Sequence, residues 1–254
     1  MAPDHASLRV LLMQARNDLE IELQEQQCFL ERCQLRPDQL TSLNLPKLGK
    51  LPLTGRVLDG YDALFIGGAG DFSAIQNYPW MPFALDMVRE AYDRRVPTFG
   101  SCWGHQLIAR ALGGTVEHDP DRAEMGCLPV ELTPAGESDL LFKDFPSFFL
   151  ANMGHHDRVT ALPDNAIELA RNASQPFEAF KMADRPMYGT QFHSELNADR
   201  LKARLNQYRS SYEEQLPSAE AYQLIVDGLK KTTEVDHLLF DFLTKFAVVS
   251  DVSA

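Results

Sequence analysis

The chain has 254 residues, of which 44% are hydrophobic and 24% charged, and a formal net charge of −12. That length suffices for one large α/β domain, while the acidic balance without a dense Lys/Arg run excludes a nucleic-acid surface. No apolar stretch approaches the roughly 18 residues needed to span a bilayer. The N-terminus lacks the basic-then-apolar layout of a signal peptide, and the four cysteines (Cys28, Cys33, Cys102, Cys127) show neither zinc-site spacing nor the density of a disulfide scaffold. A cytoplasmic protein is expected.

In chain order, residues 8–13 read as a first strand and 18–33 as a helix, with Leu19, Leu23, Gln26 and Leu30 near helical spacing. Residues 36–60 carry Pro, Leu and Gly without a sustained period and read as a long connection with room for a short strand or turn. Residues 63–66 form a buried strand, 82–94 a helix, 96–99 another strand and 106–112 a helix closed by Gly113-Gly114. This alternation predicts a mostly parallel central sheet flanked by helices, with chemistry collected at the C-terminal ends of the strands. Beyond it, short strands at 115–118, 127–132 and 148–150, with a short helix at 138–142, predict a small antiparallel extension. Strands at 177–182 and 187–192 are joined by a hairpin through Ala183-Asp184-Arg185-Pro186. Three C-terminal helices are expected at 198–208, 219–231 and 234–246. We read residues 1–254 as one domain, with 197–254 a helical extension.

Gly100-Ser101-Cys102-Trp103-Gly104-His105-Gln106 places a cysteine between glycines where strand turns to helix. At a helix N-terminus the unpaired N–H groups and the positive end of the dipole favour a thiolate, and the glycines relieve the crowding of a sharp elbow. A cysteine nucleophile needs a base. Gly189-Thr190-Gln191-Phe192-His193-Ser194-Glu195 supplies a histidine and, two residues on, a carboxylate on the same side of an extended chain. Buried packing of Cys102 and an exposed His193-Glu195 pair are the plain alternatives for each segment taken alone.

Together the two segments resemble the class I glutamine amidotransferase family, whose signatures are a Gly-x-Cys-x-Gly-x-Gln elbow and a Gln-Phe-His-Pro-Glu strand end. Cys102 and His193 are 91 positions apart, as is typical of that family. Ala63-Leu64-Phe65-Ile66-Gly67-Gly68-Ala69-Gly70 is like its strand and Gly-Gly-Pro-Gly loop. Met153-Gly154-His155-His156-Asp157 is like its Met-Ser-His-Gly-Asp segment. Ser194 and Ala69 stand where proline is usual, and His156, a bulky imidazole, stands where glycine is usual.

The resemblance implies a flavodoxin-like, three-layer fold and a stand-alone domain similar to the amidotransferase domain of GMP synthase. It implies a Cys102–His193–Glu195 triad, an oxyanion hole from the backbone N–H groups of Gly68 and Trp103, and a substrate pocket using Gln106, Gly154, His155 and His156. Neither metal nor cofactor is expected; His105, His155 and His156 are not read as metal ligands. The implied reaction cleaves a γ-glutamyl amide, glutamine to glutamate and ammonia, through a cysteine thioester. No Walker-type Gly-x-x-x-x-Gly-Lys occurs. The ammonia would therefore go to a separate synthetase subunit, or the chain acts alone on γ-glutamyl peptides. A catalytically silent binding protein on the same fold is the alternative from a different class.

Overall fold

In the computed structural model, residues 5–48, 56–210, 216 and 218–248 are described; the part of the long connection at 49–55 lies outside them. Strand β1 (Val10–Ala15) pairs in parallel with β2 (Leu40–Asn44) on one side and β3 (Ala63–Ala69) on the other. β4 (Thr98–Ser101) is parallel to β3, and the late strand β11 (Met187–Thr190) is parallel to β4. The chain between them forms β5 (Thr115–His118), β6 (Glu124–Leu132), β7 (Phe148–His155), β8 (Asp157–Ala161), β9 (Ala166–Arg171) and β10 (Ala179–Met182). The main sheet runs β2-β1-β3-β4-β11-β10-β9-β6-β7, parallel up to β11 and antiparallel beyond it.

Alternation along the strands builds the three layers. Val10, Leu12, Ala63 and Phe65 join one core, beneath helices α1 (Leu19–Cys33) and, near the C-terminus, α7 (Leu238–Phe246). Leu11, Met13, Leu64 and Ile66 join the opposite core, beneath α2 (Met81–Asp93) and α3 (Trp103–Ala111). Successive strand side chains point to opposite faces, so strands apolar at every position require cover on both. Between these helices and the C-terminal ones lies the short α4 (Pro134–Glu137), followed by α5 (Ala198–Gln207) and α6 (Ala219–Asp227). A third cluster of Cys28, Leu196, Leu201, Leu205, Tyr222 and Val226 joins α1, α5 and α6.

Several expectations need correction. Strand 115–118 does not extend the main sheet; it pairs with β8 in a separate two-stranded sheet. The short helix lies at Pro134–Glu137 instead of 138–142, because the Thr133 hydroxyl caps the Gly136 N–H and Pro134 is pre-set for a first helical turn. Helix α6 stops at Asp227 before Gly228, short of residue 231. The apolar spacing expected for α1 holds only in part: Leu30 packs, partly buried, against the core, but the first two leucines do not. Leu19 and Leu23 are exposed, whereas Ile21, Glu25, Cys28, Phe29 and Cys33 are buried. A charged residue, Glu25, occupies the inward stripe because it has a partner there, and hydrophobic periodicity cannot register that.

Candidate functional site

The C-terminal ends of β3, β4 and β11 bring together three loops that lie far apart in sequence. At the end of β4 the backbone turns through Cys102 with φ 51° and ψ −101°, an unfavourable region for a residue with a side chain. The Cys102 N–H donates to the Thr190 carbonyl at 2.8 Å, pinning the elbow to β11. A Cβ at Gly100 would overlap the backbone of Gly104, and one at Gly104 would overlap the Ile66 carbonyl. Both glycines are therefore fixed by the close approach of helix α3 to the strands.

His193 and Glu195 follow β11 on an irregular segment, and both are buried. His193 Nδ1 lies 2.8 Å from Glu195 Oε1, which leaves Nε2 for the Cys102 sulfur. Burial alone would push the imidazole down, yet the Glu195 carboxylate and the Cys102 sulfur facing it raise it to about 9. Glu195 is held well below the usual carboxylate range: burial opposes this, but His193, Arg204 and the Ser101 hydroxyl outweigh it. Ser101 donates to Glu195 Oε2 at 2.6 Å, and Arg204 Nη1 to Oε1 at 3.3 Å.

Cys102 opens onto a cleft of about 170 Å³. Trp103, Gln106, Gly154, His155 and His156 all line it, as do Phe72, Asp157 and Tyr208. Their side chains differ in what they offer. The Gln106 carboxamide donates to the Asp157 carbonyl at 2.6 Å and to Gln191 Oε1 at 3.1 Å, and Gln191 Nε2 lies 3.8 Å from the sulfur. The His155 ring turns inward, between the Asp157 carbonyl at 3.0 Å and Glu124 Oε2 at 3.1 Å. His156 is half-buried, and its imidazole is pushed down by burial and by the neighbouring His155 and His118. The Asp157 carboxylate accepts from Ser73 Oγ and the Ala74 N–H and also meets His118 Nδ1, tying the loop after β3 to the cleft wall. His105 is buried against Phe180, and burial drives its imidazole down to about 3.

Gly68 is placed differently from the other expected residues. Its N–H donates to Glu25 Oε1 at 3.0 Å. Glu25 is itself fully buried and receives Arg16 Nη2 at 2.6 Å and Gln14 Nε2 at 2.7 Å.

Sequence reasoning missed the residues that stand behind Cys102, His193 and Glu195: Arg16, Glu25, Arg204 and Tyr208. The signal open to it is the 201, 204, 205, 208 spacing on α5 and its C-cap, which puts an arginine and a tyrosine on the same stripe as two leucines. Glu124 and Glu178, buried near His155, form with it the group among the described residues that has the geometry to hold a cation. Burial and the Glu124 charge push the Glu178 carboxyl well up, so the pair can instead share a proton.

A cysteine on a strained strand-to-helix elbow, beside a buried histidine–carboxylate pair at the carboxyl edge of a mostly parallel sheet, defines a class: α/β proteins of the cysteine-elbow type. The profile of the glutamine amidotransferase class-I family matches residues 50–207, and the chain belongs to that family. It is 39% identical over 112 residues to a subunit of the glutamine-hydrolyzing GMP synthase of Pyrococcus abyssi, covering 44% of this chain and 57% of that one. To the glutamine-hydrolyzing GMP synthase of Lactococcus lactis subsp. cremoris it is 36% identical over 113 residues, covering 44% of this chain and 21% of the relative. The matched region thus spans little more than half of the first of these relatives and about a fifth of the second. Among solved structures, a glutamine amidotransferase from Thermotoga maritima superposes with a TM-score of 0.73 at 21% identity, over 97% of this chain and 100% of that one. A glutamine amido transferase from Methylobacillus flagellatus gives 0.71 at 21% identity, over 98% and 99%. These two likenesses carry the fold. No helix among the described residues is long and apolar enough to cross a membrane.

Proposed function

We propose that the chain is a glutaminase-type amidohydrolase that cleaves a γ-glutamyl amide, glutamine to glutamate and ammonia, through a thioester on Cys102. The observation that carries this is the buried His193–Glu195 pair at 2.8 Å, its imidazole raised to about 9 by that carboxylate and by the Cys102 sulfur. Cys102 attacks the amide carbon. His193 takes the thiol proton, returns it to the departing nitrogen and then activates water, while Glu195 holds the ring and balances its charge.

The oxyanion falls to the Trp103 N–H, the first of helix α3, and to the Gly68 N–H, which must turn from Glu25 to serve. Gln106, Gly154, His155 and His156 are the substrate-side wall of the cleft, with His155 and Gln106 shaping it from behind. The ligand is glutamine or a γ-glutamyl compound, without cofactor, in the cytoplasm. Residues 1–254 act as one domain whose helical extension, 197–254, completes the site with Arg204.

The similarity to part of a GMP synthase supports a separate synthetase partner as the consumer of ammonia. A second reading, hydrolysis of γ-glutamyl peptides without a partner, is favoured by His156, which narrows the cleft where the family has glycine, and by the aromatic wall of Phe72 and Trp103. The test is treatment with a glutamine-like electrophile and mass spectrometry. One adduct on Cys102, absent in Cys102→Ser, is expected; labelling that persists in the variant overturns the reading, and no labelling favours a silent binding protein. Ammonia released from glutamine by the protein alone favours the first substrate class, and an amine or amino acid released from γ-glutamyl peptides favours the second.

A further inference from the structure

Between Cys102 and helix α5 lies a second, smaller chamber of about 20 Å³, bounded by Arg16, His193, Arg204, Leu205 and Tyr208. It meets the larger cleft at Ala69, Gly70, Cys102, Gly154 and Tyr208, so the sulfur is approached from two sides. A cavity needs roughly 10–15 Å³ to take one water, together with two to four polar partners. This chamber has the volume, and Arg16, His193, Arg204 and Tyr208 are the polar residues around it.

Its polar wall is built by the helix. Leu201 and Leu205 anchor α5 in the protein, each 1% exposed, and Arg204 and Tyr208 share their stripe. Arg204 is buried; Nη1 serves Glu195 and Glu25, and Nη2 serves Gln24, while its Nε–H has no acceptor among the described residues. The Tyr208 ring closes the far side, seated on Gly70, where any Cβ would overlap the ring. Its hydroxyl stands beside the Arg16 guanidinium, and burial raises the phenol and keeps it a donor at neutral pH.

We propose that this chamber seats the water that opens the Cys102 thioester, oriented by the Arg204 Nε–H and the Tyr208 hydroxyl within reach of His193. The proposal rests on the thioester reading above. His193 takes one proton from the water as its oxygen bonds to the thioester carbon. The tetrahedral intermediate then breaks its C–S bond, the glutamyl group leaves as the acid, and the proton on His193 is available to the released sulfur. Arg204 and Tyr208 are positioning residues in this step, and the larger cleft stays filled by the glutamyl chain while water enters from the other side.

Rapid-quench kinetics with L-glutamine and a γ-glutamyl dipeptide, read by intact mass for the glutamyl adduct, test it. Tyr208→Phe removes one oxygen and keeps the ring on its seat. We expect kcat to fall about tenfold or more, with the adduct building to near stoichiometry, while the first-turnover release of ammonia or amine changes by less than about twofold. Gly70→Ala, which drives the ring off its seat, is expected to give the same signature. Hydroxylamine, a stronger nucleophile, is expected to restore turnover in both as the hydroxamate. An unchanged kcat in Tyr208→Phe, or equal losses in acylation and deacylation, overturns the water site and leaves the thioester standing. A wild-type protein that forms no adduct and releases no glutamate from either compound overturns the thioester reading, and the chamber's role with it.

Discussion

Arg204 Nη1 lies 3.3 Å from Glu195 Oε1, the oxygen that also meets His193 Nδ1 at 2.8 Å. One carboxylate oxygen thus serves both the imidazole and a guanidinium delivered from the C-terminal extension. The same nitrogen lies 3.8 Å from Glu25, which Arg16 holds at 2.6 Å. Two cations and two carboxylates alternate in the interior and neutralise one another, and burying any of them singly would carry a large desolvation penalty.

Arg204→Met leaves the Glu195 and Glu25 charges short of a partner. The expected loss is about 3 kcal/mol of unfolding free energy, the scale for breaking a buried ion pair, measured by urea denaturation. A double variant, Arg204→Met with Glu25→Gln, is expected to lose less than the sum of the singles, because the second change removes a stranded charge.

His193 titrates in the folded protein at about 9, above its ordinary 6.5. A group raised on folding contributes stability that is fully present below the unfolded value and disappears as pH climbs through the folded one. The stability gap between the wild type and His193→Gln is therefore expected to be widest below pH 6.5 and to close between 6.5 and about 9. Denaturation curves at about pH 6, 7.5 and 9.5 check this, bracketing the two values; a gap that widens across that window contradicts the charge assignment.

The backbone at Cys102 carries φ 51° and ψ −101°. Glycine tolerates positive φ, so Cys102→Gly is expected to be more stable than Cys102→Ala by about 1 kcal/mol, an inversion of the usual order in a buried elbow. Thermal melts of the two variants decide it. Gly104→Ala, whose methyl would meet the Ile66 carbonyl, is expected to destabilise more than either.

Glu178 is fully buried beside Glu124, and burial with that charge raises its carboxyl well above the ordinary value of 4.5. For an acid raised on folding, stability drains away as pH rises above the unfolded value. Glu178→Gln keeps the shape and cannot ionise, so it is expected to gain on the wild type progressively as pH rises above the ordinary carboxyl value of 4.5, in urea titrations. If divalent zinc or manganese raises the melting temperature of the wild type and not of Glu178→Gln, the pair holds a cation instead of a proton.

The elbow, the histidine–carboxylate pair and the alternation of strands and helices are all legible in the linear order, because each depends on neighbours within a few residues. Cys102 lies between two glycines, and His193 and Glu195 are two apart on one side of an extended segment. The parallel core is legible for the same reason, since continuous apolar runs such as 10–13 and 63–66 need cover on both faces. Pairing is not. That 115–118 leaves the main sheet for β8 depends on where β8 lies, which no local period encodes.

What the amino-acid order determined by itself was the inventory and its local geometry: a thiol on a sharp turn, an imidazole with its carboxylate, glycines where chains cross. Only the tertiary structure decided which charged groups could be buried. Glu25 faces inward on α1 because Arg16 meets it, and Arg204 and Tyr208 line the chamber beside Cys102 because α5 packs its leucines against α1 and α6. A buried charge is stable only beside its partner, and for Glu25 one such partner, Arg204, comes from the far end of the chain.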